Sequence, residues 1–167
     1  MDCRGEMTAQ DASRELLRHT LATLAYRAAK ALRGAPGGFA QWRVVPTTRS
    51  AGEILVHLGD LLDWALSLAQ GAEQWHDGVP GSWEQDEIRF FAALGAFDAY
   101  IAAGAPLHVS AARLFQGPIA DALTHVGQLA TLRRVAGTPV RGENYFRADI
   151  VLGRVGPEQP TPRREFD

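Results

Sequence analysis

Apolar residues recur along this chain at helical spacing in four separate stretches, and no alternating run is long enough for a sheet. From about Asp11 to Arg33 the stripe is Leu17, Leu21, Leu24, Ala28 and Leu32, stopped by Gly34 and Pro36. Ser50 followed three residues later by Glu53 is a capping box, after which Ile54, Leu58, Leu61, Ala65 and Leu68 carry a second helix to about Gln70. Gly71 to Gly81, with Pro80, breaks the pattern. Ser82 with Gln85 repeats the capping signal, and Ile88, Phe91, Leu94, Phe97 and Ile101 continue to near Gly104. Gly117 and Pro118 read as the start of a fourth helix, since proline is tolerated at the first helical position, where the N–H has no intrahelical partner. Gly137 and Pro139 end that helix. The predicted helices are 11–33, 50–70, 83–104 and 118–136, followed by a tail, 137–167. They define an all-α chain, a four-helix bundle with strand content near zero.

The connection from Gly34 to Arg49 carries Phe39 and Trp42, whose rings are expected to pack back onto the helices. In the tail, Tyr145, Phe146, Ile150, Val151 and Leu152 predict a first half that covers the bundle, and the polar, proline-rich last ten residues predict disorder. A length of 167 residues with 46% hydrophobic content suits a single domain, 1–167. The one cysteine, Cys3, lies in a polar N-terminal stretch, which excludes an intramolecular disulfide and a cysteine-based zinc site. That stretch lacks the apolar core of a signal peptide, and no run of about 20 apolar residues offers a membrane span, so a cytoplasmic protein is expected. Net charge is −2, and the arginines, Arg133-Arg134 and Arg163-Arg164 included, are spread out and read as solvated surface rather than a phosphate-tracking patch. Nucleic acid is therefore not an expected partner.

Candidate chemistry gathers on the fourth helix. At 100° per residue, Asp121, His125, Gln128, Leu132 and Val135 share a narrow arc, with Arg133 and Arg134 turned away from it. Asp121 and His125 are i and i+4 neighbours, close enough for two metal–ligand bonds of about 2 Å each. Of the five histidines, His19, His76 and His108 read as solvated, whereas His57 lies on the second helix about 60° from the apolar stripe, near the edge shared with Trp64. One inward histidine alone would read as a hydrogen-bonded core residue. Two on different helices, with a carboxylate one turn from one of them, make a metal-ligand set of His57, Asp121 and His125. Asp121 has a competing reading as an acid favoured by the macrodipole in a first helical turn. Asp60 and Gln128 are candidates to orient an imidazole from behind the ligands.

His125-Val126-Gly127-Gln128, together with one histidine on the second helix, resembles the DinB-like superfamily of four-helix-bundle metalloproteins. The resemblance covers roughly 11–137. The family's last helix commonly bears His-x-x-x-His, and its second helix adds another histidine. His57 and His125 match two of those three positions, and Asp121 stands at the third. The resemblance implies an up-down-down-up bundle, whose connection between helices two and three must cross the bundle's length. It also implies one divalent ion, nickel or zinc, although two imidazoles with a carboxylate also suit iron. Both expected ligand histidines lie about 10 Å from their predicted helix starts, so antiparallel helices would need an axial offset to bring them level. Glu143 and Tyr145, in a tail similar to that of some bacterial members, are further candidates to approach the metal.

Family members of known activity include transferases and isomerases that use a low-molecular-weight thiol, and the family's proteins often form a homodimer. The sequence supports two functional readings. The first is a metal-dependent transferase or hydrolase acting on a small-molecule substrate, with an open metal position lowering the pKa of a bound nucleophile. The alternative is a non-catalytic helical bundle that binds a small molecule or partner, with Asp121 and His125 forming only a hydrogen-bonded pair.

Overall fold

The computed structural model describes residues 8–166, and Cys3 lies outside them. Helix α1 spans Ala9–Leu32, α2 Ala51–Ala69 and α3 Trp83–Ala102. A last helical run consists of α4 (Ala111–Leu114), a π turn (Phe115–Ile119) and α5 (Ala120–Val135). Both predicted capping boxes form: Ser50 accepts from the Glu53 N–H and Ser82 from the Gln85 N–H, with the N3 side chain returning the bond in each case. Thr8 and Asp11 cap α1 in the same way. Among the described residues, strand content is confined to the pair β1 (Gly142–Glu143) and β2 (Glu165–Phe166).

Helix α1 packs on α3 and α5, and α2 packs on the same two, around one core that includes Leu21, Leu24, Leu55, Leu58, Phe90, Phe97 and Leu129. Contact register gives the directions. Asp60 meets Arg89 and Ala69 meets Tyr100, so α2 and α3 run the same way. Arg14 reaches Ile101 and Ala105 while Arg18 pairs with Asp98, so α1 opposes α3. At the other end of α1, Arg133 bonds the carbonyls of Ala31 and Arg33, so α5 runs with α1.

Two helices of the same direction in succession need a connection that returns the chain to the starting end. Residues 70–82 form this strap, which runs back along α2: Gln74 N–H donates to Ser67, Trp75 lies against Trp64 and His57, and Gly78 N–H donates to Asp60. Gly78 must be glycine, because a Cβ there would collide with Val56, Asp60 and Arg89. The other long connection behaves as expected, with Phe39 buried and Trp42 packed on the core.

The sequence reading of the last helix is corrected in three respects. The run begins at Ala111, capped by Ser110, rather than at Pro118. Gly117 and Pro118 lie inside it, where the π turn accommodates a residue with no N–H to donate. His125 is consequently about 21 Å from the start of the run rather than 10 Å, which supplies the axial offset that the two expected ligand histidines required. The buried face of α5 is Ala122, His125, Val126, Leu129, Leu132 and Arg133, whereas Asp121, Gln128 and Val135 are exposed, so the polar stripe is a shoulder of the helix rather than its core face.

Arg133 is the third correction. Instead of facing water it is buried, donating to the carbonyls of Ala31, Arg33, Gly34 and Thr138. The guanidinium thereby satisfies carbonyls that the end of α1 leaves without intrahelical partners, at the negative pole of its dipole. Ile88 is also misassigned by the apolar pattern. It is exposed, because Phe90, Leu94, Phe97 and Ile101 define a face about 150° away from it.

The tail differs from expectation at both ends. Phe146 is exposed, and the last residues, predicted to be disordered, are pinned through Phe166: β2 pairs with β1, and Lys30 bridges Glu143 and Glu165, each at 2.8 Å. Among the described residues no helix is long and apolar enough to cross a membrane.

Candidate metal centre

Helix α2 delivers His57 and α5 delivers Asp121 and His125 to a common rim between the two helices. His57 Nε2 lies 3.7 Å from Asp121 Oδ2, and His125 Nε2 lies 3.4 Å from Asp121 Oδ1. One potential ligand atom from each residue falls within 4.8 Å of the others. The two imidazoles meet edge to face, with ring centroids 4.8 Å apart. Both histidine side chains are largely buried, whereas Asp121 is half exposed. One side of the cluster is thus sealed by protein and the other is open.

The carboxylate is too far from the imidazoles to be simply hydrogen-bonded. Good N–H···O bonds are about 2.7–3.2 Å. Two ligand atoms bound tetrahedrally at about 2.0–2.1 Å from one ion lie about 3.3 Å apart. The observed 3.4 and 3.7 Å, each to a different Asp121 oxygen, lie at or somewhat beyond that ligand–ligand edge, within a group whose candidate ligand atoms lie within 4.8 Å of one another.

The protonation pattern suits the same use. Gln128 Oε1 lies 2.8 Å from His125 Nδ1, and an amide oxygen can only accept, so Nδ1 carries a proton and Nε2 is the ring nitrogen turned toward Asp121. Burial, followed by the charge of Arg49 and the second imidazole, pushes the pKa of His57 below its ordinary value against the opposing pull of Asp121 and Asp60. His57 is therefore neutral near pH 7. The macrodipole account of Asp121 weakens, because the helical run starts about ten residues before it and the dipole effect fades within the first turn.

Other predicted residues occupy different places. Asp60 is buried with its oxygens taken by the Gly78 N–H at 3.0 Å and by Arg89 at 2.6 Å, so it anchors the strap rather than an imidazole. Trp64 connects to His57 through Trp75, each ring pair at 5.7 Å. Glu143 and Tyr145 attach to α1: Glu143 accepts from Tyr26 and Lys30, and Tyr145 packs edge-on against Tyr26 beneath the Arg27 guanidinium. His19, His76 and His108 are exposed, as expected.

Two residues at the site escaped sequence reasoning. Trp75 is a single ring in an otherwise polar connection, and only the path of the strap brings it to His57. Arg49 immediately precedes the α2 cap and lines a cavity of about 340 Å³ beside His57. An arginine next to a capping serine carries no periodic signal.

No protein-family model matches the chain, and no curated protein or solved structure matches it.

Proposed function

We propose that this chain is a DinB-like metalloenzyme, an up-down-down-up four-helix bundle that holds one divalent ion on His57, Asp121 and His125 and acts on a small molecule. Carrying this reading is the spacing of the three side chains, which is too wide for a hydrogen-bonded triad and close to that of ligands around one ion. The directions of the helices agree with the bundle topology, and Gln128 holds His125 in the tautomer that a ligand needs. Nickel, zinc or iron would suit two imidazoles and a carboxylate.

A divalent ion bound there would supply Lewis-acid chemistry and lower the pKa of a coordinated nucleophile. The protein side chains then have distinct tasks. His57 is presented neutral, Gln128 holds a proton on the outer nitrogen of His125, and Trp75 shields the His57 ring. Half exposed, Asp121 marks the side from which substrate enters. The reaction class is transfer or hydrolysis, with a low-molecular-weight thiol as the expected co-substrate.

Elemental analysis after reconstitution with nickel, zinc, iron(II) or manganese tests the reading. About one ion per chain is expected in the wild type, and none in His125→Ala under the same wash. A wild type that stays metal-free would refute the metal centre and favour a helical bundle that binds small molecules without catalysis.

A further inference from the structure

We infer that the substrate of this site carries an oxyanion, a carboxylate or phosphate group, which docks on Arg49 and Thr47 in the cavity beside His57. The inference rests on the metal-centre reading for its reactive end and on the cavity itself for its anionic end.

The cavity is built from three segments. Glu53, Val56, His57 and Asp60 of α2 form its base, the loop from Arg43 to Arg49 forms one side, and Asp77, Gly78 and Pro80 of the strap form the other. About 340 Å³ is enough for a small metabolite. His57 belongs to both the cavity and the ligand set, so a molecule filling the cavity abuts the metal centre.

The polar groups of the lining are mostly committed to one another. Glu53 accepts from the Ser50 N–H at 2.6 Å and from Arg43 at 3.2 Å. Asp60 accepts from Gly78 and Arg89, and Asp77 from the Trp75 indole N–H at 2.9 Å. Arg43 also donates to the Thr48 carbonyl, and the Thr48 hydroxyl is engaged with Val45. Among the described residues, the exposed Arg49 guanidinium and Thr47 hydroxyl make no hydrogen bond or ion pair, although both line the cavity. What the lining leaves to a ligand is therefore a cationic fork of N–H donors and a hydroxyl, with the second oxygen of Asp77 as the remaining unbonded acceptor. That combination matches an oxyanion, because a guanidinium binds carboxylate or phosphate through paired donors and offers no acceptor to a cation.

Arg49 also sits near the reactive end. It lines the same cavity as His57, so the anion and the metal centre would lie at neighbouring positions of one bound molecule.

Inorganic phosphate is the probe, titrated calorimetrically into the chelator-washed protein and into the nickel-loaded protein. Wild type is expected to bind phosphate saturably in both forms. Arg49→Gln should weaken it at least about tenfold, consistent with loss of a charge-assisted contact, and Arg49→Lys should restore part of the loss. Circular dichroism identical to wild type confirms that the variants are folded. His125→Ala should abolish nickel uptake while leaving phosphate binding by the chelator-washed protein intact. Phosphate affinity unchanged in Arg49→Gln, or absent in wild type, would overturn the inference even with nickel bound. Arg49-dependent phosphate binding without nickel uptake would instead overturn the metal reading and leave the oxyanion subsite standing.

Discussion

Replacing Glu143 tests how the tail is held. This carboxylate is fully buried and accepts the Tyr26 hydroxyl at 2.7 Å and the Lys30 ammonium at 2.8 Å. In Glu143→Ala the Tyr26 hydroxyl keeps no acceptor at a buried position, and Lys30 loses one of its two carboxylates. Breaking a buried ion pair by removing one partner costs about 3–5 kcal/mol. Lys30 retains Glu165 at 2.8 Å, so the lower end applies, about 3 kcal/mol. For a domain of this size that is a fall of roughly 6–12 °C in Tm. Glu143→Gln preserves volume and an acceptor for Tyr26 and should lose less, about 1–2 kcal/mol. Urea unfolding followed by circular dichroism measures both. If Glu143→Ala unfolds within about 0.5 kcal/mol of wild type, as an ordinary surface substitution does, the buried network is not what secures the tail.

Two further outcomes follow from the same geometry. Burial first, and then the Glu143 bond, raise the Tyr26 pKa, while the Lys30 bonds to Glu143 and Glu165 raise its pKa despite burial. For groups with raised folded values, stability is fully present below their unfolded values near 10.0 and 10.5 and is lost as pH rises through the folded ones. The unfolding free energy should therefore decline steadily above about pH 10. Tyr26→Phe should make that decline shallower, and an equally steep decline in the variant would exclude Tyr26 as a source. At the proposed metal centre, Gln128→Leu removes the acceptor that fixes His125 and should weaken metal binding about 10–100-fold in a chelator competition, at little cost to folding because Gln128 is exposed. An unchanged affinity would show that the imidazole does not need that amide.

What could be read from the chain was what depends on near neighbours. Ser50 with Glu53 and Ser82 with Gln85 mark helix starts because both halves of each cap lie within one turn. His57, Asp121 and His125 were legible because a helix converts their spacing into direction. What failed depends on the tertiary environment. Gly117-Pro118 has the local chemistry of a helix start, but Ser110 begins the run earlier and the π turn carries it through. Arg133 looks solvated until the end of α1 is seen to lie against it. Trp75 and Arg49 belong to connections, whose paths no periodicity describes.

The π turn before α5 stores the geometry of the candidate metal centre as a count of residues. Phe115–Ile119 adds one residue to what would otherwise be a regular turn, so the faces on either side of it are out of phase by about 100°. Ala111 and Ala112 lie alongside α1, while His57 of α2 meets Asp121 and His125. An unbroken α-helix, one residue shorter, could not keep both alignments. Deletion of the exposed Gln116 would remove no candidate ligand and no core side chain, yet would set the two ends of the run competing for register.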